Sequence, residues 1–346
     1  MEQKYTQRLE KIEAELKRWL PETADSAWAE KVFPGIGKRI NEETIHSLLA
    51  PLRDILSRGG KRWRPLFMTL VCETFGGGDS AIPLAPLLEF SHNASLIHDD
   101  IEDDSDERRG KPAIHSIYGV DTAINLGSFF YFLSSSCIDS CELKNKDAIY
   151  KLWTDCMRKL HLGQSMDINW HRNISLVPSI EEYYLMAAMK TGSLARLAAE
   201  LGALIAGATP QAAQLMGSAA ERMGVGFQIL DDVKNLTTGV PGKRRGDDVV
   251  EGKKGLPVLM YLNKYPEKHG MVFYCFHVAK TDGAAVQEVD DLINALKDSG
   301  VFEEAEEKGH SLLKEMQDIF VSNDFAGCNI NESGRELLKG FIKLIS

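Results

Sequence analysis

Two short acidic clusters, far apart along the chain, carry the residues best suited to chemistry. The first, DDIED, spans 99–103, and the second, DDVKN, spans 231–235. Positions four apart share one face of a helix, so Asp99 and Asp103 should project together, as should Asp231 and Asn235. Like charges on one face repel, and a compact fold brings them together only around a cation. Mg²⁺ takes one or two carboxylates plus substrate phosphates, so the clusters predict a Mg²⁺-dependent enzyme acting on a diphosphate.

Composition limits the partners that such an enzyme could have. The 346 residues are 44% hydrophobic and 26% charged, an ordinary globular composition. The net charge of −10 argues against nucleic-acid and anionic-membrane partners, since those surfaces attract an excess of Lys and Arg. Any phosphate-binding site must therefore be a local basic pocket.

The cysteines and the N-terminal segment predict a cytoplasmic protein. No CxxC pair and no zinc-like spacing occurs, which is typical of reduced core thiols. The first residues, MEQKYTQRLEKIEAELKRWL, are charged and amphipathic rather than a signal peptide, and no apolar run reaches the length of a membrane span.

Apolar residues recur at helical spacing along nearly the whole chain. Leu9, Ile12 and Leu16 follow this pattern, and convincing alternating strands are absent. Turn signals such as 76–79 and 175–178 divide the chain into helical segments. The pattern predicts an all-α fold of antiparallel helices, and the lack of repeats or linkers favours a single domain over 1–346.

Basic and Gly-rich segments accompany both acidic clusters. They read GGKRWRP at 59–65, RRG at 108–110, GQSMD at 163–167, KTG at 190–192, GFQILDD at 226–232 and GDDVVEGKKGLP at 246–257. Taken in this order, the motifs strongly resemble the trans-isoprenyl diphosphate synthases of the polyprenyl synthetase family, over a core from 59 to 257. The variant DDxxN, with Asn235 where many members have Asp, resembles the eukaryotic-type geranylgeranyl diphosphate synthases.

The resemblance implies an isoprenoid synthase bundle of helices around a deep central cavity, with the two Asp-rich motifs facing each other across its mouth. It also implies a prenyltransferase that uses Mg²⁺, three ions in the substrate complex, to ionise an allylic diphosphate. The double bond of isopentenyl diphosphate then attacks the allylic cation, and the departing diphosphate takes the proton that ends the step. A homodimer is implied through helices that include 123–133.

The resemblance also assigns roles to individual residues. The implied Mg²⁺ ligands are Asp99, Asp100, Asp103, Asp231 and Asp232. The allylic diphosphate would be held by Arg108, Lys190, Lys243 and Lys253, with Thr191 and Gln228 stabilising the cation beside the ionising carbon. A metal-free pocket for isopentenyl diphosphate would consist of Lys61, Arg64, His92 and Arg109. Arg244 is an alternative to Lys243, and Asn235 would weaken the metal affinity of the second motif.

Product length depends on what closes the cavity. Ala94 and Ser95 lie five and four positions before Asp99, where they should face down the cavity below the metals. Both are small, so the shaft should stay open and the product should exceed fifteen carbons. Candidate residues for the floor are Phe129, Phe130, Tyr131, Phe132 and His161. A product of about twenty carbons, geranylgeranyl diphosphate, is the expectation.

Three other functions remain open. A longer-chain polyprenyl diphosphate synthase would share every motif and differ only in cavity depth. A class I terpene cyclase would share the acidic site but has no second substrate, which would leave Lys61, Arg64, His92 and Arg109 without a purpose. A non-catalytic synthase subunit could lose its acidic motif without harm, whereas this chain retains it.

Overall fold

A computed structural model describes residues 3–143, 145–239, 244–322 and 325–345. Across these ranges the backbone is helical except for turns and one antiparallel ribbon of β1 (Glu107–Arg108) and β2 (Lys111–Pro112). The α-helices are α1 (Thr6–Trp19), α2 (Ser26–Val32), α3 (Glu42–Ser57), α4 (Trp63–Thr74), α5 (Ala85–Glu102), α6 (Ile114–Tyr118), α7 (Val120–Ser140), α8 (Lys146–Arg172), α9 (Ile180–Ala187), α10 (Ser193–Ile205), α11 (Pro210–Thr237), α12 (Asp247–Glu251), α13 (Leu256–Lys264), α14 (His269–Asp282), α15 (Gln287–Asp298), α16 (Val301–Ser322) and α17 (Glu332–Ile345). Short 3₁₀ turns occur at Gln3–Tyr5, Gly37–Arg39, Gly78–Leu84 and Pro266–Lys268, and a π-turn at Ala188–Gly192. The prediction of an all-α fold is confirmed.

The chain divides into two compact units. Unit 1 comprises Met1–Trp153, Leu197–Gln214 and Phe325–Leu344, and unit 2 comprises Thr154–Arg196, Leu215–Asp324 and Ile345–Ser346. The single domain over 1–346 stays a prediction. Among the described helices, none is both long and apolar enough to cross a bilayer.

In unit 1, α5 packs antiparallel along α7. The rings of Phe90 and Phe130 lie 4.6 Å apart, and the hydroxyls of Ser91 and Ser134 are 3.1 Å apart in the core. Further along, the ring of His98 lies so close to Gly127 that a Cβ there would come within 2.5 Å of Nε2. This side of α5 therefore packs against α7, and the acidic cluster lies on another side of the helix.

In unit 2, α9 begins with a capping box. The Ser179 hydroxyl accepts the Glu182 N–H at 3.1 Å, and the Glu182 carboxylate accepts the Ser179 N–H at 2.8 Å. This fixed start sets the register of α9, which buries Tyr183 in the apolar core of the unit. The helix then widens into the π-turn that contains Lys190 and Thr191.

Glycines allow the segments around the π-turn to approach closely. A Cβ at Gly163 of α8 would lie 2.5 Å from the Lys190 backbone nitrogen, and one at Gly224 of α11 would lie 2.6 Å from the Gly192 Cα. Only glycine permits backbones to approach this closely. Gly163 and Gly224 thus allow α8 and α11 to pack against the turn that bears Lys190.

Candidate active site

The first acidic cluster occupies the last turn of α5 in unit 1. Asp103 follows the final residue of the helix, and its N–H donates to the Asp99 carbonyl at 2.9 Å, so the two residues are one turn apart, as predicted. The Asp99 side chain keeps 22% of its surface exposed. Asp99 and Asp103 therefore share a partly exposed helix face suited to a hard cation.

Asp100 has different surroundings. Its side chain is buried, and its Oδ1 accepts from Nε of Arg108 at 2.7 Å and also from Nη2 of the same guanidinium. Burial raises the pKa of Asp100, against the opposing charge of Arg108. The same guanidinium lies 3.8 Å from Asp99 Oδ2. Arg108 is thus held beside the acidic face by Asp100.

A cationic pocket lies on the same unit. His92 is partly buried on α5, and burial lowers its pKa well below the usual value. Nearby positive charges lower the pKa of His92 further, in the order Arg64, Arg109, Arg108 and Arg62. Arg64 and Arg109, two of the residues predicted for the metal-free pocket, are therefore close enough for their charges to act on His92, which is neutral there. Lys61, which was also predicted for this pocket, is exposed in the segment 59–65, just before α4.

Arg62, which the sequence prediction passed over, supports this pocket. Its side chain is 6% exposed and donates to Glu13, to Glu89 at 2.9 Å and to the carbonyls of Leu56 and Gly59. Arg109 donates to the same Gly59 carbonyl at 2.5 Å. One backbone carbonyl thus draws two guanidinium groups together, and the buried carboxylate of Glu89 balances part of their charge.

The second acidic cluster lies on α11 in unit 2, and its members differ in environment. Asp231 is exposed, whereas Asp232 is 6% and Asn235 is 1% exposed. The Asn235 amide oxygen accepts the Asp248 N–H at 3.1 Å, in the first turn of α12. Asn235, one turn further along α11, is therefore turned inward and binds the start of α12, while Asp231 stays exposed.

Asp232 accepts hydrogen bonds at both carboxylate oxygens. Its Oδ2 accepts from the Tyr183 hydroxyl at 2.6 Å and from the Leu256 N–H at 3.0 Å, and its Oδ1 accepts from Gln228 Nε2 at 2.9 Å. Burial raises the pKa of Asp232 to about 7, and the charge of Asp248 acts in the same direction.

Two of the residues predicted to bind the allylic diphosphate lie together in unit 2. Lys190 Nζ donates to Asp167 Oδ2 at 2.5 Å, and Lys253 Nζ lies 2.5 Å from Glu251 Oε2. Burial acts to raise the pKa of Asp167, but the charges of Lys190 and Lys253 prevail and lower it. Lys190 therefore pairs with Asp167, whereas Lys253 pairs with Glu251 and acts on Asp167 only through its charge. Lys243 lies outside the described residues, and Arg244 is exposed.

Thr191 and Gln228 are in direct contact. The Thr191 hydroxyl donates to Gln228 Oε1 at 2.7 Å, and both side chains are partly buried. The sequence prediction put these two residues beside one ionising carbon, and their contact is consistent with that placement.

The predicted chain-length residues fall into different environments. Ala94 is fully buried on the face of α5 that packs on α7, between Ser91 and His98, rather than on the face of Asp99. Phe130 and Tyr131 are buried, Phe129 stacks on Phe33 at 5.8 Å, and Phe132 is 71% exposed. Ser95 is partly exposed on the side of His92, and its hydroxyl donates to the His92 carbonyl at 2.8 Å. His161 is exposed on α8 in unit 2.

Several supporting residues were given no role by the sequence prediction, although Asp167 and Lys254 lie within its motifs. Asp167 and Tyr183 pair with Lys190 and Asp232 across helices, so only the fold reveals them. Lys254 is another case, since its buried ammonium donates to the Trp170 carbonyl at 2.5 Å and ties the KKG motif to the end of α8. Within the described ranges, no three His, Cys, Asp or Glu side chains form a metal-binding group by themselves. The two-carboxylate face of Asp99 and Asp103 nevertheless fits Mg²⁺, which completes its shell with water and substrate phosphates.

Comparison with known proteins agrees with the motif pattern. A model of the polyprenyl synthetase family matches residues 45–296. The chain is 34% identical over 229 residues to geranylgeranyl pyrophosphate synthase D of Phomopsis amygdali, an alignment covering 65% of this chain and 53% of that protein. The chain thus spans about half the length of that relative.

Two further similarities cover more of their counterparts. Geranylfarnesyl diphosphate synthase of Aeropyrum pernix is 32% identical over 278 residues, covering 77% of this chain and 84% of that protein. The crystal structure of a polyprenyl synthase from Caulobacter crescentus CB15, complexed with calcium and isoprenyl diphosphate, superposes with a TM-score of 0.75. That likeness has 23% identity and covers 97% of this chain and 95% of the other, and it shows the shared fold.

Proposed function

This chain belongs to the polyprenyl synthetase family, and we propose that it condenses isopentenyl diphosphate with an allylic diphosphate. The observation that carries the proposal is the cationic pocket around His92, on the same unit as Asp99 and Asp103. A terpene cyclase ionises one diphosphate and needs no second anion site. A pocket of Arg64, Arg109 and neutral His92 beside a carboxylate face is what a two-substrate enzyme requires.

The acidic residues would hold Mg²⁺, with Asp99 and Asp103 binding it in unit 1 and Asp231 in unit 2. When bound, Mg²⁺ supplies Lewis-acid stabilisation of the charge that develops on the departing diphosphate. Asp100 holds Arg108 beside the acidic face, where its guanidinium can bind the same anion. Three ions, as the family resemblance implies, are part of this proposal.

Lys190 and Lys253 would bind the allylic diphosphate in unit 2. Lys190 is paired with Asp167 and Lys253 with Glu251, so a carboxylate compensates the charge of each ammonium group. A bound diphosphate would replace some of the lysine–carboxylate contacts with stronger charge-assisted hydrogen bonds from the lysines to its oxygens. The isopentenyl diphosphate, which keeps its C–O bond, would bind Lys61, Arg64, His92 and Arg109 without metal.

The main product would be geranylgeranyl diphosphate. The relative from Phomopsis amygdali bears that product in its name, while the one from Aeropyrum pernix is named for the longer geranylfarnesyl diphosphate. Small side chains on the Asp99 side of α5, above all Ser95, support a shaft deeper than fifteen carbons. A longer product would favour the longer-chain alternative.

Two further features of the enzyme belong to this proposal. We propose a homodimer, because Val120, Ile124 and Phe132 leave apolar surface exposed on α7. A cytoplasmic location is supported by the six free cysteines, of which all but Cys328 are buried.

The test is incubation of the protein and Mg²⁺ with isopentenyl diphosphate and each of dimethylallyl, geranyl and farnesyl diphosphate, followed by chromatography of the dephosphorylated products. We expect geranylgeraniol from every starter.

Replacing Asp99 and Asp103 together by alanine should lower kcat by about a thousandfold or more, as expected when the charge stabilising a leaving group is lost. The matched control is Glu303→Ala with Glu307→Ala, an exposed acidic pair at the same spacing on α16. Full activity without Asp99 and Asp103, or cyclised hydrocarbons from a single diphosphate, would refute the proposal.

A further inference from the structure

A chain of hydrogen bonds in unit 2 runs from the core to the residues proposed to stabilise the cation. Tyr183 donates to Asp232 at 2.6 Å, Gln228 donates to Asp232 at 2.9 Å, and Thr191 donates to Gln228 at 2.7 Å. We call this set, Tyr183–Asp232–Gln228–Thr191, the polar relay. Its inner end is buried, and its outer end at Thr191 is partly exposed.

The hydrogen bonds at Asp232 set the direction of every bond in the polar relay. Oδ2 accepts from the Tyr183 hydroxyl and the Leu256 N–H, and Oδ1 accepts from the NH₂ group of Gln228. The amide oxygen of Gln228 is then forced toward Thr191 and accepts the hydroxyl proton. The oxygen lone pairs of Thr191 stay directed away from Gln228 and can face a positive carbon.

The segment that contains Gly255 and Leu256 also holds Asp232 in position. The Leu256 N–H donates to its Oδ2 at 3.0 Å, and a Cβ at Gly255 would lie only 2.7 Å from that oxygen. The KKGLP segment therefore closes directly over the carboxylate. Asp232 is buried in this place, whereas Asp231, the other carboxylate at the start of this cluster, is exposed.

We propose that Asp232 and Tyr183 are positioning residues, which set the polarity of Gln228 and Thr191 so that oxygen lone pairs, not protons, face the allylic cation. This inference rests on the proposed prenyl transfer and deepens it. It gives Asp232 an orienting role instead of the metal-binding role predicted from sequence. It also gives a function to Tyr183, which lies outside every motif.

Replacing Asp232 by asparagine should reverse the polar relay. The Leu256 N–H and the Tyr183 hydroxyl donate to the position of Oδ2, so the amide oxygen of the new asparagine should take that position. The NH₂ group of the asparagine then points at Gln228. Gln228 must then flip to accept, which turns its own NH₂ group toward Thr191 and uses up a Thr191 lone pair. We expect kcat to fall about a hundredfold, the usual effect of losing one oriented dipole at a developing charge, with both KM values within about twofold.

The decisive variant adds Gln228→Glu to Asp232→Asn. The glutamate accepts from the asparagine NH₂ with one oxygen and from the Thr191 hydroxyl with the other, which restores the original polarity at Thr191. We expect the double variant to recover at least about tenfold of the lost kcat. Gln228→Glu alone should be impaired, because it places two carboxylates in contact.

Two further measurements separate this role from metal binding and from simple packing. Isothermal titration of Mg²⁺ in the presence of inorganic diphosphate should give the same affinity for wild type and Asp232→Asn. Tyr183→Phe should lower kcat about tenfold, with KM unchanged and the thermal midpoint shifted by only a few degrees. The matched control is Tyr184→Phe, since Tyr184 is the adjacent, partly buried tyrosine whose ring lies 6.0 Å from that of Tyr183.

The outcomes are distinguishable. Weakened Mg²⁺ binding in Asp232→Asn, or a double variant no faster than either single variant, would overturn the inference while wild-type prenyl transfer stands. Equal kcat in wild type and Tyr183→Phe would remove Tyr183 from the polar relay. A wild-type protein that forms no prenyl product would instead refute the proposed function itself.

Discussion

At the scale of single residues, the cationic pocket is built on unfavourable backbone. Arg62 and Arg109 have φ angles of 47° and 56°, in the left-handed region that costs L-residues about 1–2 kcal/mol. Hydrogen bonds to Gly59, Leu56 and Glu89 offset that cost for Arg62. The strain turns the two guanidinium groups toward one carbonyl. Like charges are thus held together before any anion arrives, which is the preorganisation that an anion-binding site needs.

A prediction at this scale concerns His92, whose pKa is lowered by burial and by arginine charges. Because the imidazole is neutral, an amide should replace it as a hydrogen-bond donor. His92→Gln should raise the KM for isopentenyl diphosphate by less than about fivefold, whereas His92→Leu should raise it about tenfold to a hundredfold by leaving the diphosphate without a donor. Steady-state kinetics with each substrate varied in turn will measure both values.

The KM for the allylic diphosphate provides the internal control, because His92 is not among the residues proposed to bind that substrate. It should stay within about twofold in both variants. Equal effects of glutamine and leucine on the KM for isopentenyl diphosphate would contradict a donor role for His92.

At the scale of elements, helical period predicted some placements and missed others. The one-turn spacing of Asp99 and Asp103 placed both on one face, and the structure agrees, because α5 continues unbroken to Glu102. The same period could not reveal which face of α5 would meet α7, so it gave no sign that Ala94 would be buried there, and the chain-length role of Ala94 stays a prediction. Nor could it predict the π-turn at Lys190, which depends on Gly163 and Gly224 in other helices.

This difference leads to a prediction about product length. Five residues of α-helix rotate a side chain by about 140°, which separates Ala94 from Asp99, while Ser95 stays within about 40° of it. Ser95→Phe should therefore place an aromatic ring on the side of the acidic face and shorten the main product to about fifteen carbons. Chromatography of the dephosphorylated products will measure the chain length.

Ala94→Phe is the matched comparison. A phenylalanine there would be forced between α5 and α7, where overpacking costs about 1–3 kcal/mol of unfolding free energy. We expect a lower denaturation midpoint for this variant and little change in product length for the molecules that fold. A shortened product from Ala94→Phe together with an unchanged product from Ser95→Phe would show that α5 presents the other face to the chain.

Across the whole molecule, the net charge is negative, whereas the surroundings of His92 are positively charged. A net charge of −10 excludes a generally basic surface, yet the charges of four arginines act on His92. Small anionic substrates are therefore drawn to a local site rather than to a broad surface. The motif resemblance implied a local pocket of Lys61, Arg64, His92 and Arg109, and that pocket stays a prediction. The supporting partners, such as Glu89 for Arg62 or Tyr183 for Asp232, come from distant parts of the chain and needed the fold.

The apolar surface of α7 leads to the last prediction. Val120, Ile124 and Phe132 recur at intervals of four and eight residues, so they follow one i, i+4 row along the surface of α7, and Phe132 is 71% exposed. Burying one such phenylalanine at an interface contributes about 1.5–3 kcal/mol, and burying an uncompensated carboxylate there costs more. Phe132→Glu should therefore weaken the homodimer by at least about tenfold, which sedimentation equilibrium across a range of protein concentrations will measure. Tyr274→Glu, a change at a comparably exposed aromatic residue on α14, should leave the dimer intact. A wild-type monomer at every concentration, or a Phe132→Glu variant as dimeric as wild type, would show that this face of α7 is covered by something other than a second copy of the chain.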